Sequence, residues 1–124
     1  MVITSPSIDI DVVALLCVEY WKLSKATKKA ADLLPKPAKR RLEGQLSFSD
    51  RQLSMIVDKL GFKLIDFENE EFHAGLAVTS DNAGDYSDDI DLIVSKTLEP
   101  TILVGMQVIR LGRVLVEPAK SEKE

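Results

Sequence analysis

Two apolar seams in heptad spacing, separated by Pro35-Lys36-Pro37, constrain this chain more than any other feature. The first runs through Val13, Leu16, Tyr20, Leu23, Thr27, Ala30 and Leu34 in alternating steps of three and four. That spacing places the side chains on one helical stripe for three repeats. Ser5-Pro6-Ser7 reads as the helix start, because serine caps free backbone donors and proline suits a first helical position. Asp9 and Asp11 then fall in the first turns, and Lys25, Lys28 and Lys29 near the end, as the helix dipole favours. Ile8, Val12, Leu15 and Trp21 widen the apolar surface beyond one stripe, which predicts a helix buried on more than one side.

The prolines end this helix by removing a backbone donor and crowding the preceding turn. A second helix is expected from about Ala38 to Leu60, with its seam at Leu42, Leu46, Ser49, Leu53, Ile56 and Leu60 and Gly61 as its terminating cap. Two such helices form an antiparallel hairpin. A hairpin alone cannot cover both apolar faces, so pairing with a second copy into a dimeric four-helix bundle is expected. The dimer interface would comprise Val13, Leu16, Tyr20, Leu23, Leu42, Leu46, Leu53, Ile56 and Leu60.

After Gly61 the period changes to two. Phe62 to Phe67, Phe72 to Thr79, Ile90 to Leu98, Thr101 to Val104 and Val108 to Val116 read as strands, the last with a bulge or tight turn at Gly112. Ser80 to Asp89 reads as a loop. The fold class is therefore α+β: a helical hairpin over 1–61, a small and mostly antiparallel β domain over 62–118, and a frayed polar tail over 119–124.

Charge follows the same division. The net charge of −4 hides eight basic residues against Asp32 alone between Lys22 and Arg41, a segment of +7. Between Asp66 and Glu99 ten acids oppose Lys96, a segment of −9. The basic stretch surrounds the expected helix–helix turn and reads as a solvated tip. It carries no aromatic residue after Trp21 to stack on bases, which argues against nucleic acid as a partner. Asp81 fails as the first ligand of a calcium loop, since Ala83, Tyr86 and Leu92 occupy the positions of the third, sixth and twelfth. The acidic loop reads as solvated surface.

Little here supports chemistry. Cys17 lies among Leu15, Leu16 and Val18 and reads as a buried thiol, distant in sequence from the one histidine, His73. One cysteine and one histidine exclude a disulfide framework and multi-cysteine or histidine-rich metal sites. Nucleophile-elbow, phosphate-loop and dinucleotide motifs are absent. No catalytic residue, metal or cofactor is expected. No apolar run approaches the roughly 20 residues of a membrane span. The first residues, Met1 to Ile10, lack a signal-peptide pattern. The expected compartment is the cytoplasm, without a membrane partner.

The order of these parts resembles the GrpE family, the nucleotide-exchange factors of DnaK-type chaperones. Val108-Ile109-Arg110-Leu111-Gly112-Arg113-Val114-Leu115-Val116 looks like that family's closing strand. Leu53 to Phe67 resembles its passage from helix through glycine to strand, and Phe72 and Leu76 its Phe-Asp-Pro-x-Leu segment. The chain departs at Ala77-Val78, which replaces the family's His-Glu-Ala, and at Gln107, where a base is common. The resemblance implies a non-enzymatic homodimer that binds a DnaK-type chaperone through its β domain and promotes ADP release. Partner-binding residues would be Arg110, Arg113, Val114 and Val116. The alternative is a dimeric adaptor that binds another protein without nucleotide exchange.

Overall fold

The computed structural model describes residues 9–119. Helix α1 spans Ile10–Ala31 and helix α2 spans Lys36–Lys59. Six strands follow: β1 (Phe62–Ile65), β2 (Val78–Ser80), β3 (Leu92–Glu99), β4 (Thr101–Val104), β5 (Gln107–Arg110) and β6 (Gly112–Pro118), with a 3₁₀ turn at Ala83–Asp85. The expected helix start at Ser5-Pro6-Ser7 lies outside the described residues. Within them, Asp9 is the cap of α1, its Oδ1 accepting from the amides of Asp11 and Val12 at 3.0 and 3.3 Å. The helix stops at Ala31, short of Leu34, because the residue before Pro35 is steered away from helical geometry. Both Pro35 and Pro37 fit at the start of α2, where the first-turn amides have no partner to lose, so α2 begins two residues earlier than expected. Gly61, with φ +78°, closes α2 and turns the chain into β1.

The strands form two three-stranded sheets, ordered β1-β4-β5 and β2-β6-β3. All pairings are antiparallel except β2 with β6. This is the expected α+β class: a helical hairpin followed by mostly antiparallel strands. Two expectations about strands are corrected. Of Phe72 to Thr79, only Val78 onward is strand. Phe72 and Leu76 instead pack from irregular chain against the second core. The run Val108 to Val116 is two strands in two different sheets, divided at Leu111.

Gly112 fixes that division by close approach. A Cβ there would lie 2.7 Å from Thr101 Oγ1 and 2.8 Å from the Glu99 carbonyl oxygen. Thr101 Oγ1 donates to the Ala77 carbonyl at 2.7 Å and accepts from the Gly112 amide at 3.2 Å, so one hydroxyl ties β4, β6 and the chain before β2 together. On the neighbouring ribbon Pro100, lacking a donor, separates β3 from β4.

There are two cores. Ala14, Cys17, Val18, Val57, Phe62 and Ile102 form the first, so α1 and α2 share it with β1 and β4 across Gly61. Leu92, Val94, Val114 and Val116 form the second, inside the β2-β6-β3 sheet.

Candidate functional site

Helix α1 carries two apolar stripes, and the inward one is offset by one residue from the expected seam. Ala14, Cys17, Val18, Ser24 and Ala31 are its buried residues. Small side chains let the helix sit close to its neighbours. Of the expected dimer residues, Val13 and Leu53 pack against the first core, and Tyr20 donates to Asp50 Oδ1 at 2.9 Å. These three are internal contacts of a single chain, because the sheet and the other helix lie against that side of the hairpin. Leu42 and Leu46 are half-buried. Leu16 (69% exposed), Leu23 (64%), Ile56 (52%) and Leu60 (38%) stay open to solvent. Val12, Leu16 and Leu23 share one face of α1 by their spacing. Phe48, Met55 and Ile56 are likewise exposed along α2. The hairpin thus presents apolar side chains that nothing among the described residues covers.

Asp50 organises the space between the helices. It accepts from Tyr20 Oη, from Ser24 Oγ at 3.1 Å and from Lys28 Nζ at 3.0 Å. Burial alone would raise its pKa, but these donors outweigh it and hold the carboxyl below its ordinary value. Burial and the Asp50 contact push the Tyr20 hydroxyl up. Asp66, just beyond β1, behaves like Asp50. Its partial burial is outweighed by Thr97 Oγ1 at 2.6 Å, the Glu68 amide at 2.9 Å and Lys25 Nζ at 3.4 Å, leaving its pKa lowered. Between these carboxylates, α1, α2 and β1 enclose an open cleft of about 450 Å³. Leu53, Val57, Phe62 and Leu64 supply apolar wall, and Trp21 stands at its side with the Lys25 ammonium 4.8 Å from the ring centre.

A second charged centre lies on the sheets. Glu99, only 8% exposed, meets Arg110 at 3.3 Å, Arg113 at 3.3 Å and Lys22 of α1 at 3.5 Å. Arg113 also holds Asp81 of the acidic loop at 2.9 Å, and this contact lowers the Asp81 pKa. Arg110 Nε is buried without a hydrogen-bond partner. The two arginines expected at a partner surface are therefore brought together, around a carboxylate that the sequence did not single out. Val114 and Val116 are corrected: at 0% and 2% exposure they belong to the second core and offer no side chain to a partner. Strand alternation placed them inward, while Arg113 and Leu115 point the other way.

The acidic loop is anchored rather than free. Asn82 exchanges hydrogen bonds with the main chain of Val116 at 2.9 Å in each direction, and Ser80 Oγ accepts from the amides of Asn82 and Ala83. Cys17 is buried, and burial raises its pKa. His73 is exposed, its Nδ1 accepting from the Gly75 amide at 3.1 Å. These two residues belong to different parts of the fold and form no catalytic pair. Among the described residues no cluster of metal-ligating groups occurs, and no helix is long and apolar enough to cross a membrane. No family model matches the chain, and no curated protein or solved structure matches it either.

Proposed function

We propose that this chain is a non-enzymatic, cytoplasmic protein-binding regulator that works as a homodimer. Its specific activity would be that of a GrpE-like co-chaperone promoting ADP release from a DnaK-type chaperone. The uncovered apolar outer surface of the hairpin, Leu16 and Leu23 above all, is the observation that carries the reading. Solvated leucines repeated along one helix face mark a protein contact surface, and a second copy of the hairpin supplies a matching one. The order of hairpin and small sheets, with the Val108 to Val116 sequence, supports the GrpE-like activity. Arg110 and Arg113 form the partner surface in this reading. A regulator of this kind binds the nucleotide-poor state of its chaperone more tightly and shifts the population toward it, with no bond chemistry of its own. Stopped-flow release of labelled ADP from a DnaK-type chaperone tests it. Acceleration that saturates with added protein is expected, and an unchanged rate at saturation contradicts it.

The adaptor reading has its own support. Gly112, Val114 and Val116, which carry much of the resemblance, have a full account in packing. Packing alone accounts for these three residues, so by themselves they do not separate nucleotide exchange from an adaptor role. Purification of bound proteins from native cells separates the two: a chaperone in the complex supports the first reading, and a different partner the second.

A further inference from the structure

We infer that the tip of the helical hairpin docks on an anionic membrane surface, with Leu33 and Leu34 entering the lipid interface and the surrounding cations meeting the headgroups. Residues 32–35 join α1 to α2 at the end of the hairpin opposite Gly61. Leu33 is 87% exposed, more than any other leucine among the described residues, and Leu34 is 39% exposed. The turn that presents them is closed and ordered. The Leu33 and Leu34 amides donate to the Ala30 and Ala31 carbonyls at 3.0 and 3.1 Å, and Lys39 pairs with Asp32 across the turn at 3.2 Å. A lone exposed leucine needs no account, but two adjacent ones at the apex of a basic tip do.

Charge selects the occupant. Between residues 29 and 49 lie five cations, Lys29, Lys36, Lys39, Arg40 and Arg41, and two acids, Asp32 and Glu43. Asp32 is taken by Lys39, and Asp50, farther along α2, by Lys28. Glu68 lines a groove with Lys29 and offsets it. At this end of the hairpin Lys36, Arg40 and Arg41 then stand against Glu43, and none of the three makes an ion pair among the described residues. Helix α2 has no acid in its first turn, where the dipole favours one, so Lys36 there opposes the helix rather than serving it. Leucines set among cations match a bilayer interface, where apolar side chains enter the acyl boundary and long basic side chains reach the phosphates. A fluid surface receives a protruding apex without a shaped pocket, which a protein partner would have to supply. The β part, −9 between Asp66 and Glu99, is repelled by the same surface, and this turns the tip toward it. The contact is peripheral, so the lack of a spanning helix among the described residues does not bear on it. Docking at the tip depends neither on the dimer nor on a chaperone.

The experiment is cosedimentation of the full chain with vesicles of phosphatidylcholine containing about one-third phosphatidylserine, and with vesicles of phosphatidylcholine alone. Binding to the anionic vesicles is expected to be at least about tenfold tighter than to the neutral ones, and to fall away at about 0.5 M salt. The Lys36→Ala, Arg40→Ala double variant should bind the anionic vesicles about 25-fold more weakly, since each cation near such a surface is worth about fivefold. Leu33→Ser should weaken binding severalfold with its salt dependence unchanged. These three side chains are exposed, so the variants should keep their helical circular dichroism. Arg51→Ala, which removes an exposed cation of α2 away from the tip, should bind like the unsubstituted chain. Failure to bind the anionic vesicles, equal binding to the neutral ones, undiminished binding of the double variant, or an equal loss in Arg51→Ala overturns the assignment. So does undiminished binding of Leu33→Ser, which would leave a purely ionic contact of the kind an acidic protein makes.

Discussion

Gly112 shows how a single residue sets the topology of the β part. Its missing side chain lets β6 close onto Thr101 and the Glu99 carbonyl, and most of what a Cβ would meet there is backbone that cannot step aside. Gly112→Ala is therefore expected to cost about 1–3 kcal/mol in urea denaturation, the range for overpacking. Leu111→Ala next to it, half exposed, should stay within about 0.5 kcal/mol. Equal small losses for both would show that the close approach carries no energy. A glycine at this position was legible in the sequence as a special backbone site. That it marks a passage between two sheets was not, because the constraint comes from Thr101 and Glu99, residues distant in the chain. Glu99 is not legible as a charged centre for the same reason: its three cations come from three different elements.

At the scale of elements, the helices were legible because proline and glycine punctuate them. The facing of α1 was harder to read. Leucine outweighs alanine, cysteine and serine in any hydropathy pattern, so such a pattern ranks the leucine stripe as the buried one. The chain buries the stripe of small residues and leaves leucines outside. Besides the first core, α1 and α2 meet at the polar node of Asp50, where Tyr20, Ser24 and Lys28 reach one carboxylate. Its pKa is depressed in the folded chain and ordinary in the unfolded one, so on acidification the unfolded state takes up the proton first. The stabilisation is complete above the ordinary aspartate range near pH 4 and is lost as pH falls through the folded value. Asp66 acts with the same sign. Asp50→Asn is expected to lower stability at pH 7 by about 1–2 kcal/mol. It should also flatten the loss of stability between pH 5 and 3, read from unfolding midpoints across that range. An acid profile identical to that of the unsubstituted chain would contradict the role given to Asp50.

At the scale of the whole molecule, two cores and one bare surface define the architecture. The first core joins the hairpin to the β1-β4-β5 sheet and the second lies within the β2-β6-β3 sheet. The opposite charges of the helical tip and the β part, legible from sequence, are partly joined inside one chain: Lys22 reaches Glu99 and Lys25 reaches Asp66. Among the described residues, the outer face of the hairpin stays uncovered. In the proposed homodimer a second copy covers it. Sedimentation equilibrium at micromolar concentration tests this most directly, on the unsubstituted chain and on a Leu16→Asp, Leu23→Asp double variant. Both leucines are largely exposed in the single chain, so the variant should keep its helical circular dichroism. A dimer that becomes a folded monomer in the variant is the predicted result; a folded monomer for the unsubstituted chain would contradict the claim.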